Sequence, residues 1–312
     1  MCSSDLGDLT ILAALRPVDL PEKNGALPTT GRRLAYARAL TDGTHPLTTR
    51  VLVNRVWLQH FGRGIVASPA DFGTLGERPT HPELLDWLAS EFVAQGWSLK
   101  KLHKLIMTSA AYRQASQIPS SEFRIPNSKD PDNRLLWHFP LRRLDAEQLR
   151  DAQLAVSGKL NAKMFGAPVP IMSDESGQIV VGINTDDTAG RPSGKFVSLN
   201  GEEFRRTLYV QARRSKPLSL METFDAPRME PNCELRSAST VAPQSLALMN
   251  GEFTLAQAKF FAERVAKEAG DSTDESKVAR AWQLAFSRRP SNTELTDALG
   301  FLAKQRAHFT TN

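Results

Sequence analysis

Hydrophobic positions recur at helical spacing along most of this chain, and between about residues 166 and 212 the pattern changes to that of a small β element. Leu34, Ala35, Ala37, Ala39 and Leu40 predict a short helix over 31–40, ended by Thr41-Asp42-Gly43. The next helix, over 48–61, is apolar almost all round, with Val51, Leu52, Val53, Val56, Trp57, Leu58 and Phe61. A helix without a polar stripe is expected to be buried. Gly62 and Gly64 stop it, and an irregular loop runs to Arg78. Thr80-His81-Pro82-Glu83 reads as a capping box, with Thr80 as N-cap and Glu83 reaching back. Leu84, Leu85, Trp87, Leu88, Phe92 and Val93 are expected on one side of the helix that follows. Ser98 caps another, whose inner face holds Leu99, Leu102, Leu105 and Ile106. Asp145-Ala146-Glu147-Gln148 opens a further helix to Ser157. Beyond residue 217 the helical period returns, with elements expected over 218–224, from 239, over 253–268, over 277–286 and from the Ser291–Glu294 capping box onward.

Between 166 and 212, Pro168, Pro170, Gly177, Gly182, Gly190, Pro192 and Gly194 break any helix. Residues 179–181 and 195–197 predict short strands, and 206–212, Arg-Thr-Leu-Tyr-Val-Gln-Ala, predicts the best one. The fold class is therefore mainly α: a multi-helix domain over 31–312 with a small inserted β element. Residues 7–30, broken by Pro17, Pro21, Gly25 and Pro28, read as a linker or the end of a preceding domain. Residues 1–6, Met-Cys-Ser-Ser-Asp-Leu, match the translated end of a sequencing adapter. They are expected to be a library artefact, which leaves Cys233 as the native cysteine. The C-terminus is expected to be a truncation.

Composition narrows the chemistry. An apolar fraction of 41% and a charged fraction of 23% fit a chain with a real core. No apolar run approaches the roughly 18–20 residues of a membrane helix, and no signal peptide is visible. The net charge of +5 comes from dispersed Lys and Arg, clustered at most in pairs such as Arg205-Arg206 and Arg288-Arg289. That argues against a nucleic-acid footprint. One native cysteine makes neither a disulfide nor a CxxCH haem attachment. There is no P-loop, no dinucleotide fingerprint and no G-x-S-x-G elbow. Asp186-Asp187 lacks the spacing of a calcium loop and reads as a solvated pair. No cofactor or metal is expected in this chain.

The candidate polar cluster lies on the apolar helix and just after it. Asn54, Arg55 and His60 interrupt that helix, Arg63 and Asp71 lie in the glycine-rich loop, and His81 and Glu83 open the next helix. A buried polar group without a partner costs about 2–7 kcal/mol on apolar transfer. Asn54, Arg55 and His60 are thus either internal braces or parts of a site. Paired carboxylates in such a cluster would suit glycoside hydrolysis, although Glu83 has a capping role available.

The blocks VNRVWLQHFGRGIV, SPADFGTLGERPTHPELLDWLASEF, GWSLKKLHKLIMTSAAYRQAS, DPDNRLLW, RRLDAEQLRDA and STVAPQSLALMN carry a resemblance over about residue 30 to the end. They resemble the planctomycete PSD domain, domain of unknown function 1553, which lies C-terminal to cytochrome-c-like domains. The resemblance implies an exported, cell-envelope parent protein whose haem sits in an upstream domain absent from this chain. It implies neighbouring domains of the same parent as partners, and polysaccharide as an alternative partner or substrate. It carries over no catalytic residue. Two readings follow: a structural or interaction module, or an enzyme or binding domain acting on polysaccharide.

Overall fold

The computed structural model describes residues 31–116, 130–183, 185, 197–227, 233–270 and 273–311. Residues 1–30, the Asp186-Asp187 pair and Lys195-Phe196 of the strand expected at 195–197 lie outside them. The described residues are mainly helical, with one small antiparallel sheet inside the stretch where the sequence places its β element. The chain divides into two compact units, Met1–Arg142 and Arg143–Asn312.

In the first unit, α1 (Arg32–Thr41) buries no side chain. Helix α2 (Thr48–Phe61) is the centre of the core. Its Val53, Val56, Trp57 and Phe61 pack with Leu85, Leu88 and Phe92 of α3 (Pro82–Ala94) and with Leu102 and Ile106 of α4 (Leu99–Thr108). Ile65 and Val66, from the loop after α2, complete it. Trp57 and Phe61, one turn apart, stack with ring centroids 4.3 Å apart. The burial of α2 is less complete than its composition suggests, because Arg55 and Gln59, four residues apart, share an exposed edge.

Two sequence expectations change in α3. Trp87 is 51% exposed. At about 100° per residue it sits roughly opposite Leu85, Ala89 and Phe92, the residues that face the core. The capping box at Thr80 does not form. Helix α3 is N-capped by the backbone of His81. The Thr80 hydroxyl donates instead to the Ile65 carbonyl at 3.3 Å, and the Thr80 amide to the same oxygen at 2.9 Å. A tertiary acceptor has taken the hydroxyl a box would need. Glu83, in the first turn, stays exposed, where its charge suits the positive end of the helix dipole.

In the second unit, α5 (Ala146–Ser157) starts with half of a capping box: Gln148 reaches back to accept from the Asp145 amide at 3.2 Å. Strands β1 (Ile171–Ser173) and β2 (Ile179–Val181) pair antiparallel, with Met172 opposite Val180. Ala146 and Ile171 pack with Leu218, Met221 and Phe224 around α6 (Ser219–Thr223). Helices α7 (Ala242–Asn250), α8 (Glu252–Ala269), α9 (Asp274–Phe286) and α10 (Asn292–Thr311) follow, each packed on its predecessor, with α8 also against α5.

The strand expected over 206–212 is absent. Residues Thr207–Tyr209 form a 3-10 turn between two isolated bridges, Asn161 with Arg205 before it and Val169 with Val210 after it. The reason is anchoring by α5. Asp151 accepts from both the amide and the hydroxyl of Thr207 at 2.7 Å. Arg150 donates to the Arg205 carbonyl at 2.9 Å. Those side-chain bonds occupy groups a strand ladder would use, and they override the β propensity of Thr, Tyr and Val.

Candidate functional site

The seven polar residues of the cluster expected around α2 divide by what each bonds. Asn54 is fully buried in the middle of α2. Its amide nitrogen donates to the Val66 carbonyl and its oxygen accepts from the Val66 amide, both at 2.9 Å. This reciprocal pair does for Val66 what a strand partner would do. It also explains Gly64. A Cβ there would lie 2.3 Å from the Val66 oxygen and within 3 Å of the Asn54 amide, so the loop closes over Asn54 only with glycine at that position.

The loop beyond is tied to itself. Asp71 accepts from the Gly73 amide at 2.8 Å, its own carbonyl accepts from the Ser68 hydroxyl at 2.7 Å, and that hydroxyl accepts from the Glu77 amide at 2.9 Å. Arg63 pairs with Glu77 at 3.6 Å at the exposed rim, where an ion pair contributes little. The His81 ring lies 2.9 Å from the Thr80 hydroxyl. Arg55 and Glu83 are exposed on α2 and α3 respectively. No two of the seven side chains are bonded to each other.

His60 stands apart from the loop clamp. It is half-buried in the last turn of α2, with its Nε2 2.8 Å from Nδ1 of His103 on α4. Tyr112 meets its ring edge-on at 5.5 Å, and also packs against Phe61 and Phe139. Arg142 donates to the Gln59 carbonyl at 2.6 Å, at the C-terminal end of α2 where a cation is favoured. Burial, then the nearby His103 and Arg142, hold His60 below the usual imidazole pKa. No local signal in the sequence assigns His103 this partner. Only the packing of α2 against α4 brings the two rings together.

The model of the PSD1 family, described as a protein of unknown function (DUF1553), matches residues 32–302. This chain belongs to the PSD1 family. No curated protein and no solved structure matches it. The match runs through both the Asn54 clamp and the polar groups of the second unit.

A dense polar network of this PSD1 chain lies in that second unit, at residues with no part in the expected cluster. Arg143 donates to Asp225 at 2.5 Å and to the carbonyls of Phe224 and Ser239. Asp225 also accepts from the Ser239 amide at 2.8 Å and from its hydroxyl at 2.9 Å. Gln244, buried on α7, donates to the Thr223 carbonyl at 3.1 Å. Asp225 adopts a positive φ of 60°, a conformation that Asp tolerates better than most residues. The available signal was Asp225-Ala226-Pro227 just past an apolar turn, a pattern that favours a side chain folded back onto backbone. Near by, Arg236 makes a bidentate pair with Glu147 at 2.6 and 3.1 Å, and Cys233 is an exposed free thiol. Among the described residues no group of three His, Cys, Asp or Glu side chains is placed to hold a metal ion, and no helix is long and apolar enough to cross a membrane.

Asp225 gives a pH prediction. Arg143, followed by Ser239, holds its carboxyl down to about 2. Its folded pKa thus lies below its unfolded value, so the stability it contributes is present above about pH 4 and is lost as the pH falls toward about 2. Asp225→Asn is expected to lower the unfolding midpoint at neutral pH and to flatten the acid limb over that window. Thermal unfolding followed by circular dichroism from about pH 7 to about pH 2 checks it. An acid limb as steep as the wild type's counts against the assignment.

Proposed function

We propose that this chain is a non-catalytic helical module that positions neighbouring domains of a larger cell-envelope protein, whose haem is carried by a cytochrome-c-like domain elsewhere in the parent. One observation carries the reading. The polar side chains with the best claim to a site are engaged elsewhere: Asn54 is bonded to both polar groups of Val66 and Asp71 to the Gly73 amide, while Arg63 pairs with the Glu77 side chain at the exposed rim. A catalytic constellation needs side chains converging within hydrogen-bond reach of one reacting atom. Here Arg55 and Glu83 are exposed on different helices, and His81 bonds its own neighbour.

The test is a binding and hydrolysis screen of the full-length parent against neutral and acidic polysaccharides, beside an Arg55→Ala variant. Arg55 is exposed, so its loss is expected to leave the stability within about 0.5 kcal/mol of wild type. The module reading expects no turnover and no change in binding between the two proteins. Hydrolysis that Arg55→Ala abolishes without unfolding the chain would replace it with the polysaccharide enzyme.

A further inference from the structure

We infer that the hydrogen bond between His60 and His103 is a proton-sensitive latch, closed at neutral pH and released by acid, that fastens the end of α2 to α4. His60 Nε2 and His103 Nδ1 are 2.8 Å apart. At that separation one ring nitrogen must carry a hydrogen and the other must offer a lone pair. A neutral pair satisfies this, and so does a pair holding one extra proton. With a second proton both facing nitrogens are donors, the bond is lost, and two like charges stand face to face.

The surroundings favour the first state and offer no compensation for the last. The groups brought to His60 are His103 from α4, Tyr112 from the segment after α4, and Arg142 from the returning chain. Lys100 and Lys104, on α4 beside His103, are exposed cations. The charges that act on His60 are His103 and Arg142, and both oppose protonation. Its folded pKa is therefore below its unfolded value. The latch's contribution is complete above about pH 6.5 and is lost as the pH falls through the folded value.

What the latch holds follows from the rings around it. Tyr112 lies edge-on to His60 at 5.5 Å, to Phe61 at 5.9 Å and to Phe139 at 5.2 Å. Opening the imidazole pair removes one wall of that cluster and loosens the chain on both sides of Tyr112 and Phe139 from the core. This differs from the Asn54 clamp, which contains no titrating group.

The experiment compares the wild-type chain with the double variant His60→Gln/His103→Asn. Glutamine reaches the position of Nε2 and asparagine that of Nδ1, so two amides replace the bond without titrating. Urea unfolding is measured from about pH 7.5 to about pH 5. The wild type is expected to lose about tenfold more of its folded-to-unfolded ratio over that range than the double variant. Imidazole NMR titrations of the wild type and of His103→Asn give the second readout. With His103 present, His60 is expected to titrate lower than it does in His103→Asn, and its titration is expected to shift the Tyr112 ring signals. Parallel stability curves overturn the latch, as does a His60 titration indifferent to His103. If the double variant fails to fold, the titrations alone decide.

Discussion

Replacing Asn54 with alanine is expected to destabilise this protein by about 2–6 kcal/mol, from two buried backbone groups left unpaired at about 1–3 kcal/mol each. Asn54 has no exposed surface, and Val66 is buried beside it. The Val66 amide and carbonyl, each bonded at 2.9 Å, would have neither a protein partner nor ready access to water. Asn54→Asp separates this account from one based on packing. Aspartate has nearly the same shape and can still accept from the Val66 amide. It cannot donate to the Val66 carbonyl, and it places a carboxylate oxygen against that carbonyl. A packing role predicts Asn54→Asp near neutral, whereas the clamp predicts a cost at least equal to that of alanine. Urea unfolding of both variants at neutral pH measures the difference. Hydrogen exchange at the Val66 and Thr80 amides reports whether the loop behind α2 opens first, as expected if the two bonded ends of that loop depend on Asn54. A cost under about 1 kcal/mol for both variants would refute the clamp.

The same comparison shows what a single sequence can and cannot reveal. The Ser291 box forms as read, and at the Asp145 helix start Gln148 reaches back to the Asp145 amide, because such bonds need only residues three apart and an unclaimed side-chain oxygen. The Thr80 box fails because its hydroxyl finds Ile65, fifteen positions back, and nothing local announces that acceptor. The segment over 206–212 has strand propensity but is held as a turn by Arg150 and Asp151, more than fifty residues earlier. Asn54 was recognisable as a polar residue that needed a partner, since it interrupts an apolar helix. That its partner would be the backbone two residues past Gly64 was also within reach, because a glycine there admits a close approach. His103 was not recognisable, because its partner lies 43 positions away on another helix.

Arg150 shows a signal that was present and unread. The buried residues of α5 are Ala146, Arg150, Leu154 and Ser157, spaced four, four and three apart, so the helical period places an arginine on the inner face. Arg150 is 1% exposed. It donates to the carbonyls of Arg205 at 2.9 Å and Glu203 at 2.7 Å, reaches the Thr207 hydroxyl at 3.3 Å, and lies over the Phe253 ring at 5.4 Å. Burial lowers its pKa to about 10, against the opposing pull of Asp151, so the side chain stays charged at neutral pH. One cation therefore holds the 3-10 turns at Glu202–Phe204 and Thr207–Tyr209 to α5. Arg150→Ala is expected to cost about 3–5 kcal/mol, because it removes a buried hydrogen-bonded partner and leaves a cavity. Arg150→Met fills most of the volume and needs no charge desolvation, but leaves the two carbonyls unbonded. It is expected to recover part of the loss, ending about 1–3 kcal/mol below wild type. Arg150→Lys is expected to fall with alanine rather than methionine, since a single ammonium keeps the burial penalty without the planar fork that spans both carbonyls. Chemical denaturation at neutral pH ranks the three. Lysine matching wild type would mean that charge alone suffices and that the fork geometry is not what anchors these turns.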